Sequence, residues 1–468
     1  MVKYRPSFHY TPKDHWLNDP NGLIYDSKNN KYYMFYQHSY DKNNNGILNW
    51  GLAVSNDLYH WKYKGVPIKP NKYGVAFSGC GVIDENNTTQ LFENNDNTRF
   101  VCIVTYYSPI PKIGLCYSLD NGSTWIEYDK PIIENLNREY GDFRDPKVIY
   151  LKQDKTWLMV IGGSCQCRLF SSKDLINWKF NSEIYDLNGT LIESECPDLF
   201  PLNINDTNEV KWVLLTAGTS YIIGNLSYAN GKYFFNAETS RKLTFVDHNI
   251  WTHLGELYAS QSFYNDKFNR RILLNWMIDR TSNYFSEKEY NGVMSLPLEL
   301  KLGYVDEEYI LYKKPVYEIK QNRKALISSI ESHILSNELN LNNINSTTIN
   351  VELSLKKIFN NSVDIKFYQQ NGKYILLNYN KSEEKLTLDL SNSGLIVDEV
   401  LSCDLKINDS LNLDIYLDNS VFEVYVNDGK IAMHSFVFLI DNDLSISISS
   451  DYELFVEYLK IYSMNLIF

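Results

Sequence analysis

The sequence has no run of 18 apolar residues, so no segment is expected to cross a membrane as a helix. Its first residues, Met1-Val2-Lys3-Tyr4-Arg5-Pro6, hold no apolar stretch of the kind that opens a secretory signal. A cytoplasmic location is therefore expected, or secretion if the chain is a trimmed form. Positive charge is short: 45 Lys and Arg stand against 57 Asp and Glu, a formal charge of −12, which argues against a nucleic-acid partner. The 7 cysteines are odd in number and lack framework spacing. Cys165-Gln166-Cys167 is too tight for a zinc hairpin, and the thiols are read as small buried side chains.

What the chain does have is aromatic and apolar residues in a repeating arrangement. Hydrophobic content of 44% with 22% charged residues describes a globular protein, and 468 residues exceed one ordinary core, so two or more domains are expected. The 36 Tyr and 9 Trp favour β structure and offer surfaces on which sugars stack. Five short apolar runs recur: Lys31–Tyr36, Arg99–Val104, Thr156–Ile161, Lys211–Leu215 and Arg271–Trp276. Their starts lie 68, 57, 55 and 60 residues apart, and each has the length and composition of a buried strand. A short motif precedes each run: Asn18-Asp19-Pro20, Phe77-Ser78-Gly79, Arg144-Asp145-Pro146, Glu195-Cys196-Pro197-Asp198 and Tyr258-Ala259-Ser260-Gln261. Three runs are followed by an Asp-containing turn and a Trp-bearing strand, at Ser55–Trp61, Ser118–Trp125 and Ser172–Trp178.

A period near 60 with several strands per unit is that of a propeller blade, so residues 1–300 are expected to form a five-bladed β-propeller. The first strand of each blade lines the central channel, which would bring acids at 19, 145 and 195 to one pocket. Residues 301–329 read as a linker. Residues 330–468 carry alternating strands, among them Ile349–Leu355, Val363–Phe367, Lys385–Leu390, Leu413–Leu417, Val421–Val426 and Leu454–Leu459, which read as a C-terminal β-sandwich. Val426-Asn427-Asp428-Gly429-Lys430 is a hairpin tip. The whole is an all-β protein.

Three carboxylates on one channel with aromatics nearby fit glycoside hydrolysis. One acid protonates the leaving oxygen, and a second attacks the anomeric carbon or activates water. Burial and mutual repulsion can hold a proton on one carboxyl while another stays ionised. A third can hold sugar hydroxyls, oriented by Arg144. Asp-Pro-Asn-Gly at 19–22 would by itself suit a plain reverse turn, and it is the recurrence of acid-bearing motifs that points elsewhere.

These residues resemble glycoside hydrolase family 32, the invertases, inulinases and levanases. The resemblance runs over nearly the whole chain. It rests on Trp16-Leu17-Asn18-Asp19-Pro20-Asn21-Gly22, Trp50-Gly51, Phe77-Ser78-Gly79, Phe143-Arg144-Asp145-Pro146-Lys147-Val148, Glu195-Cys196-Pro197 and Ser420–Gly429, in matching order and spacing. It implies a five-bladed propeller followed by a β-sandwich. It further implies that Asp19 is the nucleophile at C2 of a fructosyl unit, Glu195 the acid and then the base, and Asp145 the transition-state stabiliser. Asn18, Gln37, Trp50, Phe77, Ser78 and Arg144 would line the fructose subsite. Trp276 is a candidate for stacking on the sugar, with a core indole as the alternative reading. The family retains configuration, and no metal or organic cofactor is implied.

The implied substrate is sucrose or a fructo-oligosaccharide, with a fructan exohydrolase or fructosyltransferase as alternative enzymes. A non-catalytic glycan-binding propeller, or an inverting glycosidase acting on arabinose or xylose, are the readings from other classes. A homo-oligomer is left open. Three positions depart from the family pattern. Leu17 stands where Met is frequent and Cys80 where Ser is usual, and His253–Ala259 lacks the usual Asp and Gly spacing.

Overall fold

The computed structural model describes residues 4–41, 46–93, 96–135, 141–163, 166–243, 255–278, 290–358, 362–394, 399–439 and 443–467. The chain divides into two compact units. One comprises Thr11–Thr244 and Leu257–Leu311, the other Met1–Tyr10, Phe245–Glu256 and Tyr312–Phe468. Among the described residues no helix is long and apolar enough to cross a membrane.

The first unit is a β-propeller built, among the described residues, from five sheets. Each sheet begins with a motif-bearing strand: His15–Asp26, Val75–Ile83, Arg144–Leu151, Asp198–Asn203 and Leu257–Ser262. Beside each lies the apolar run, as strands Lys31–Ser39, Phe100–Tyr107, Thr156–Gly162, Val210–Thr216 and Arg271–Met277. These second strands read as continuous apolar segments because neighbouring sheets cover both faces; every residue of Thr156–Gly162 is buried. The motif strands approach one another in cyclic order, the fifth returning to the first.

Closure of the ring uses backbone. Tyr290–Asn291, from the far end of the unit, adds to the first sheet in parallel, pairing His15 with Tyr290 and Trp16 with Asn291. Gly292 follows with φ 103°, and a Cβ there would lie 1.9 Å from the Leu17 carbonyl oxygen. Only glycine satisfies both the left-handed backbone and the close approach.

The first and third Asp-containing turns share one geometry. In the first, Asp57 Oδ1 accepts the N–H groups of Tyr59 and His60 at 3.0 and 2.8 Å. In the third, Asp174 Oδ1 accepts those of Ile176 and Asn177 at 2.9 and 2.7 Å. The tryptophans were expected within the following strands. Instead Trp61, Trp125 and Trp178 each stand just before theirs, and each indole N–H folds back to the carbonyl three residues earlier, at 3.1, 3.2 and 2.9 Å.

The second unit is a sandwich of two six-stranded sheets. Its core is made by alternate residues, such as Ile349, Val351, Leu353 and Leu355 from one sheet and Ile375, Leu377 and Tyr379 from the other. The hairpin tip is left-handed at Asn427, Asp428 and Gly429. Near the N-terminus, Asp418 accepts the N–H groups of Ser7, Phe8 and His9 at 2.6, 2.8 and 2.9 Å. The His9 ring lies between Asp418 at 2.8 Å and Glu423 at 3.4 Å, fully enclosed. Burial disfavours its cation, but the two carboxylates outweigh that and push its pKa up to about 9.

The expected linker over 301–329 is a correction. Leu298–Val305 pairs with Arg271–Met277 in the last propeller sheet, and Glu308–Pro315 extends that sheet. Tyr317–Gln321 is a short helix, and Arg323–Leu335 is an edge strand paired with Leu454–Met464. The segment reads as a linker because these outer strands leave many side chains in solvent and lack an apolar run. The cysteines at 80, 102, 116, 167 and 196 are buried free thiols, and Cys403 is partly buried; Cys165 lies outside the described residues.

Gly292→Ala is expected to destabilise the fold by about 1–3 kcal/mol, measured as a lowered thermal midpoint. His9 has a raised folded-state pKa, so its contribution is full below its ordinary value of 6.5 and is lost as pH rises through about 9. The midpoint of the native chain is expected to fall across that window by the equivalent of roughly 3 kcal/mol, and His9→Gln to flatten the profile.

Candidate active site

The motif strands are irregular where their motifs lie. Register shifts fall between Leu17 and Pro20, Phe77 and Gly79, Arg144 and Lys147, and Tyr258 and Gln261. A bulge interrupts the two-residue alternation and re-aims a side chain. Asp145, Cys196 and Ala259 take positive φ values of 61°, 42° and 52°, a conformation that costs a non-glycine residue about 1 kcal/mol or more.

The result is a cluster to which every sheet of the propeller contributes. Asp19, from the first, receives Asn18 Nδ2 at 3.0 Å on Oδ1 and Ser78 Oγ at 2.6 Å on Oδ2. Asn18 is itself fixed by Trp16 Nε1 at 2.6 Å. Ser78, from the second sheet, is held by Gln37 Nε2 at 2.7 Å, so its hydroxyl hydrogen is left to point at Asp19. Asp145, from the third, accepts the Cys196 N–H at 3.0 Å and anchors its own N–H on Thr105 Oγ1 at 3.0 Å. Arg144 Nη2 reaches Glu195 Oε1 at 2.5 Å, and its Nε lies 3.6 Å from Asp145. Asp142 also pairs with this guanidinium. Tyr258, from the fifth sheet, donates its hydroxyl to Glu195 Oε2 at 2.6 Å. The Cys196 thiol lies 3.6 Å from Asp19 Oδ2.

Electrostatics differ among the acids. Burial pushes the Asp19 carboxyl above its ordinary range; the Ser78 and Asn18 hydrogen bonds favour its anion in part, and Glu195 opposes it. Burial also lifts Asp145, to about 7, with Arg144 and the Cys196 N–H pulling down and Asp19 and Glu195 pushing up. Burial works against the Arg144 cation, but Asp145, Asp142 and Glu195 hold its proton more firmly than usual. Burial and the neighbouring Glu195 keep Tyr258 a neutral phenol, and burial with the surrounding acids keeps Cys196 a thiol. Among the described residues no three His, Cys, Asp or Glu side chains are grouped to hold a metal ion.

The structure brings Asp19, Asp145, Glu195, Asn18, Ser78 and Arg144 together. Glu195 and Cys196 sit on the turn entering Asp198–Asn203, not within that strand. Gln37 is buried and donates to the Ser78 hydroxyl. Trp50, expected to line the subsite, is a correction: it is 0% exposed, packs on Phe35 and donates its indole N–H to the Phe77 carbonyl at 2.9 Å. An indole so enclosed supports the Phe77–Ser78 segment and cannot meet a ligand. Phe77 is half-buried and stacks on Tyr107 at 4.2 Å, with Arg144 over the far ring. Trp276 stands edge-on to Trp16 at 6.1 Å and is partly exposed.

Two residues escaped sequence reading as members of the cluster. Tyr258 belongs to the fifth motif, but nothing in the sequence marks a tyrosine among 36 as the partner of Glu195. Asp142 precedes the Arg144-Asp145 motif, and only its distance to the guanidinium reveals it. His253 and Leu254, in the segment that departs from the family pattern, lie outside the described residues.

The raised pKa of Asp145 has a measurable consequence. Its ionisation costs the fold nothing below the ordinary carboxyl value of 3.8 and most above about 7. Asp145→Asn keeps an acceptor for the Cys196 N–H and carries no charge. Thermal unfolding is expected to show this variant melting higher than the native chain near pH 8, with the gap closing toward pH 4.

Comparison with known proteins fits this geometry. Residues 9–315 match the glycosyl hydrolases family 32 N-terminal domain, and residues 317–463 match the family 32 C-terminal domain. A fructan beta-fructosidase of Streptococcus mutans is 31% identical over 92% of this chain and 31% of its own length. A levanase of Bacillus subtilis is 31% identical over 91% of this chain and 65% of its own length. An invertase of Wickerhamomyces anomalus is 31% identical over 92% of this chain and 88% of its own. The chain thus spans less than two thirds of the first two relatives. The crystal structure of exo-inulinase from Aspergillus awamori has the same fold, with a TM-score of 0.85 at 23% identity over 99% of each chain. Matched in both domains and along nearly all its length, the chain belongs to glycosyl hydrolase family 32.

Proposed function

We propose that this protein hydrolyses fructosides, releasing terminal β-D-fructofuranosyl units with retention of configuration, and that sucrose is its first substrate. The observation that carries the reading is the convergence of Asp19, Asp145 and Glu195, from three different motifs, with the Arg144 guanidinium between Asp145 and Glu195 and the Cys196 N–H and thiol facing Asp145 and Asp19. Five sheets whose motif strands meet in cyclic order support a five-bladed ring with these acids at its axis.

In this reading Asp19 attacks C2 of the fructosyl unit. The glycosidic bond breaks as Glu195 gives its proton to the departing oxygen. The ester to Asp19 is then cleaved by water, whose proton returns to Glu195 and whose oxygen ends on C2. Ser78 and Asn18 fix both oxygens of Asp19, so the nucleophile is oriented before substrate arrives. Asp145 is placed to bind sugar hydroxyls, and Arg144 holds it beside Glu195. Tyr258 fixes the other oxygen of Glu195.

A fructan exohydrolase is the second reading, favoured by the levanase and fructan beta-fructosidase among the relatives. The same acids serve both substrates, and the leaving group decides between them. A panel of sucrose, sucrose 6-phosphate, raffinose, inulin and levan separates the two. Equal glucose and fructose from sucrose identify an invertase, and faster release from inulin or levan a fructan hydrolase. Asp19→Asn and Glu195→Gln are each expected to lower kcat by at least about a thousandfold while the chain stays folded. Fructose release by either variant at the native rate would remove the proposal.

A further inference from the structure

Beneath the acids lies a second set of buried residues that the reaction itself does not use. Two or three residues beyond each site position, on the motif strands, come Asn21, Cys80, Lys147, Asp198 and Gln261, all buried. Lys147 is a buried cation. Its Nζ lies 3.2 Å from Asp198 Oδ2 and 3.1 Å from Gln261 Oε1, and it also donates to the Ser262 carbonyl. Asp198 Oδ2 in turn accepts the Ser262 N–H at 2.7 Å. The other polar atoms of this group, Asp198 Oδ1 and Gln261 Nε2, have no partner among the described residues. Cys80 and Arg271 also lie close enough to feel these charges.

The pair joins three strands that share no ladder. Arg144–Leu151, Asp198–Asn203 and Leu257–Ser262 belong to three different sheets, and among the described residues only single backbone bonds tie those sheets beside the site, Gly163 N–H to the Ser194 carbonyl at 2.9 Å and Ser260 N–H to the Ala217 carbonyl at 3.3 Å. Yet Asp145 and Arg144, Glu195, and Tyr258 come from these same three strands or the turns entering them. Each stands two or three residues from a member of the Lys147 group. A slip of one strand along another would move the acid, the stabiliser and the phenol apart together.

We propose that the Lys147–Asp198 pair is a clamp that sets the mutual placement of Asp145, Glu195 and Tyr258, with Lys147 and Asp198 as positioning residues that touch no substrate. The proposal rests on the fructoside-hydrolase reading of those acids. A buried ion pair is poor evidence for stability as such, since neutral residues of similar volume often replace one without loss. Its value here is geometric, because a misplacement of about 1 Å in an active site can cost as much as a hundredfold in rate.

The test uses the full chain, with kcat, KM and thermal midpoint measured on whichever fructoside the native protein cleaves. Lys147→Met leaves Asp198 buried without its ion-pair partner and is expected to lose both stability and rate. Lys147→Met/Asp198→Asn removes the carboxylate as well. It is expected to melt within a few degrees of the native chain and yet keep a kcat at least about tenfold reduced, with KM within about twofold. Recovery of native kcat together with the midpoint shows a pair that only holds the fold, and overturns the clamp. Asp198→Asn, the milder change, still accepts from Ser262, and an unaltered kcat in that variant overturns the clamp as well. A native protein that releases no fructose from any member of the panel overturns the parent reading instead.

Discussion

One guanidinium makes this site possible. Asp19 and Asp145 lie in a hollow where burial already resists their ionisation, and the neighbouring carboxylates, Glu195 among them, raise that cost further. Arg144 answers two of them directly, at 2.5 Å to Glu195 and 3.6 Å to Asp145. It is fixed in turn by Asp142. The hydrogen bonds onto Asp19 and the Cys196 N–H onto Asp145 complete the arrangement, each favouring the charged form.

Placing those donors requires backbone in uncommon conformations. Four of the five motif strands are out of register at or beside the motif, and Asp145 and Cys196 are left-handed without being glycine. The ring supplies the constraint that makes such strain tolerable. Its second strands are buried on both faces, and its first sheet is closed by a strand from the far end of the unit. The closing segment brings Gly292 against the Leu17 carbonyl, next to Asn18 and Asp19, so the seam of the ring and the proposed nucleophile share one short stretch of chain.

Much of this was legible beforehand because it is local. Continuous apolar runs at a steady period mark strands covered on both faces, and strict alternation marks the half-covered strands of the sandwich. The motif acids could be picked out because they recur at one place in three of the five repeats. Residues 301–329 misled for the opposite reason: Glu308–Pro315 and Arg323–Leu335 are edge strands that carry many polar side chains, and the partner of the second, Leu454–Met464, lies far away in sequence. Trp50 misled because an indole beside a motif looks the same whether it faces a ligand or a core; its enclosure by Phe35 and Phe77 is a matter of packing.

The sequence alone determined most of the strands and their grouping into repeats, and it singled out the three acids, since each of these follows from spacing and side-chain type within a few dozen residues. Tertiary structure decided which groups answer those acids. That Tyr258 meets Glu195 across 63 positions, Ser78 meets Asp19 across 59, and Lys147 reaches Gln261 across 114 depends on how successive sheets are turned about one axis. Hydrogen bonds and ion pairs act over a few ångströms in space, and a linear pattern carries no record of which distant residues will come that close.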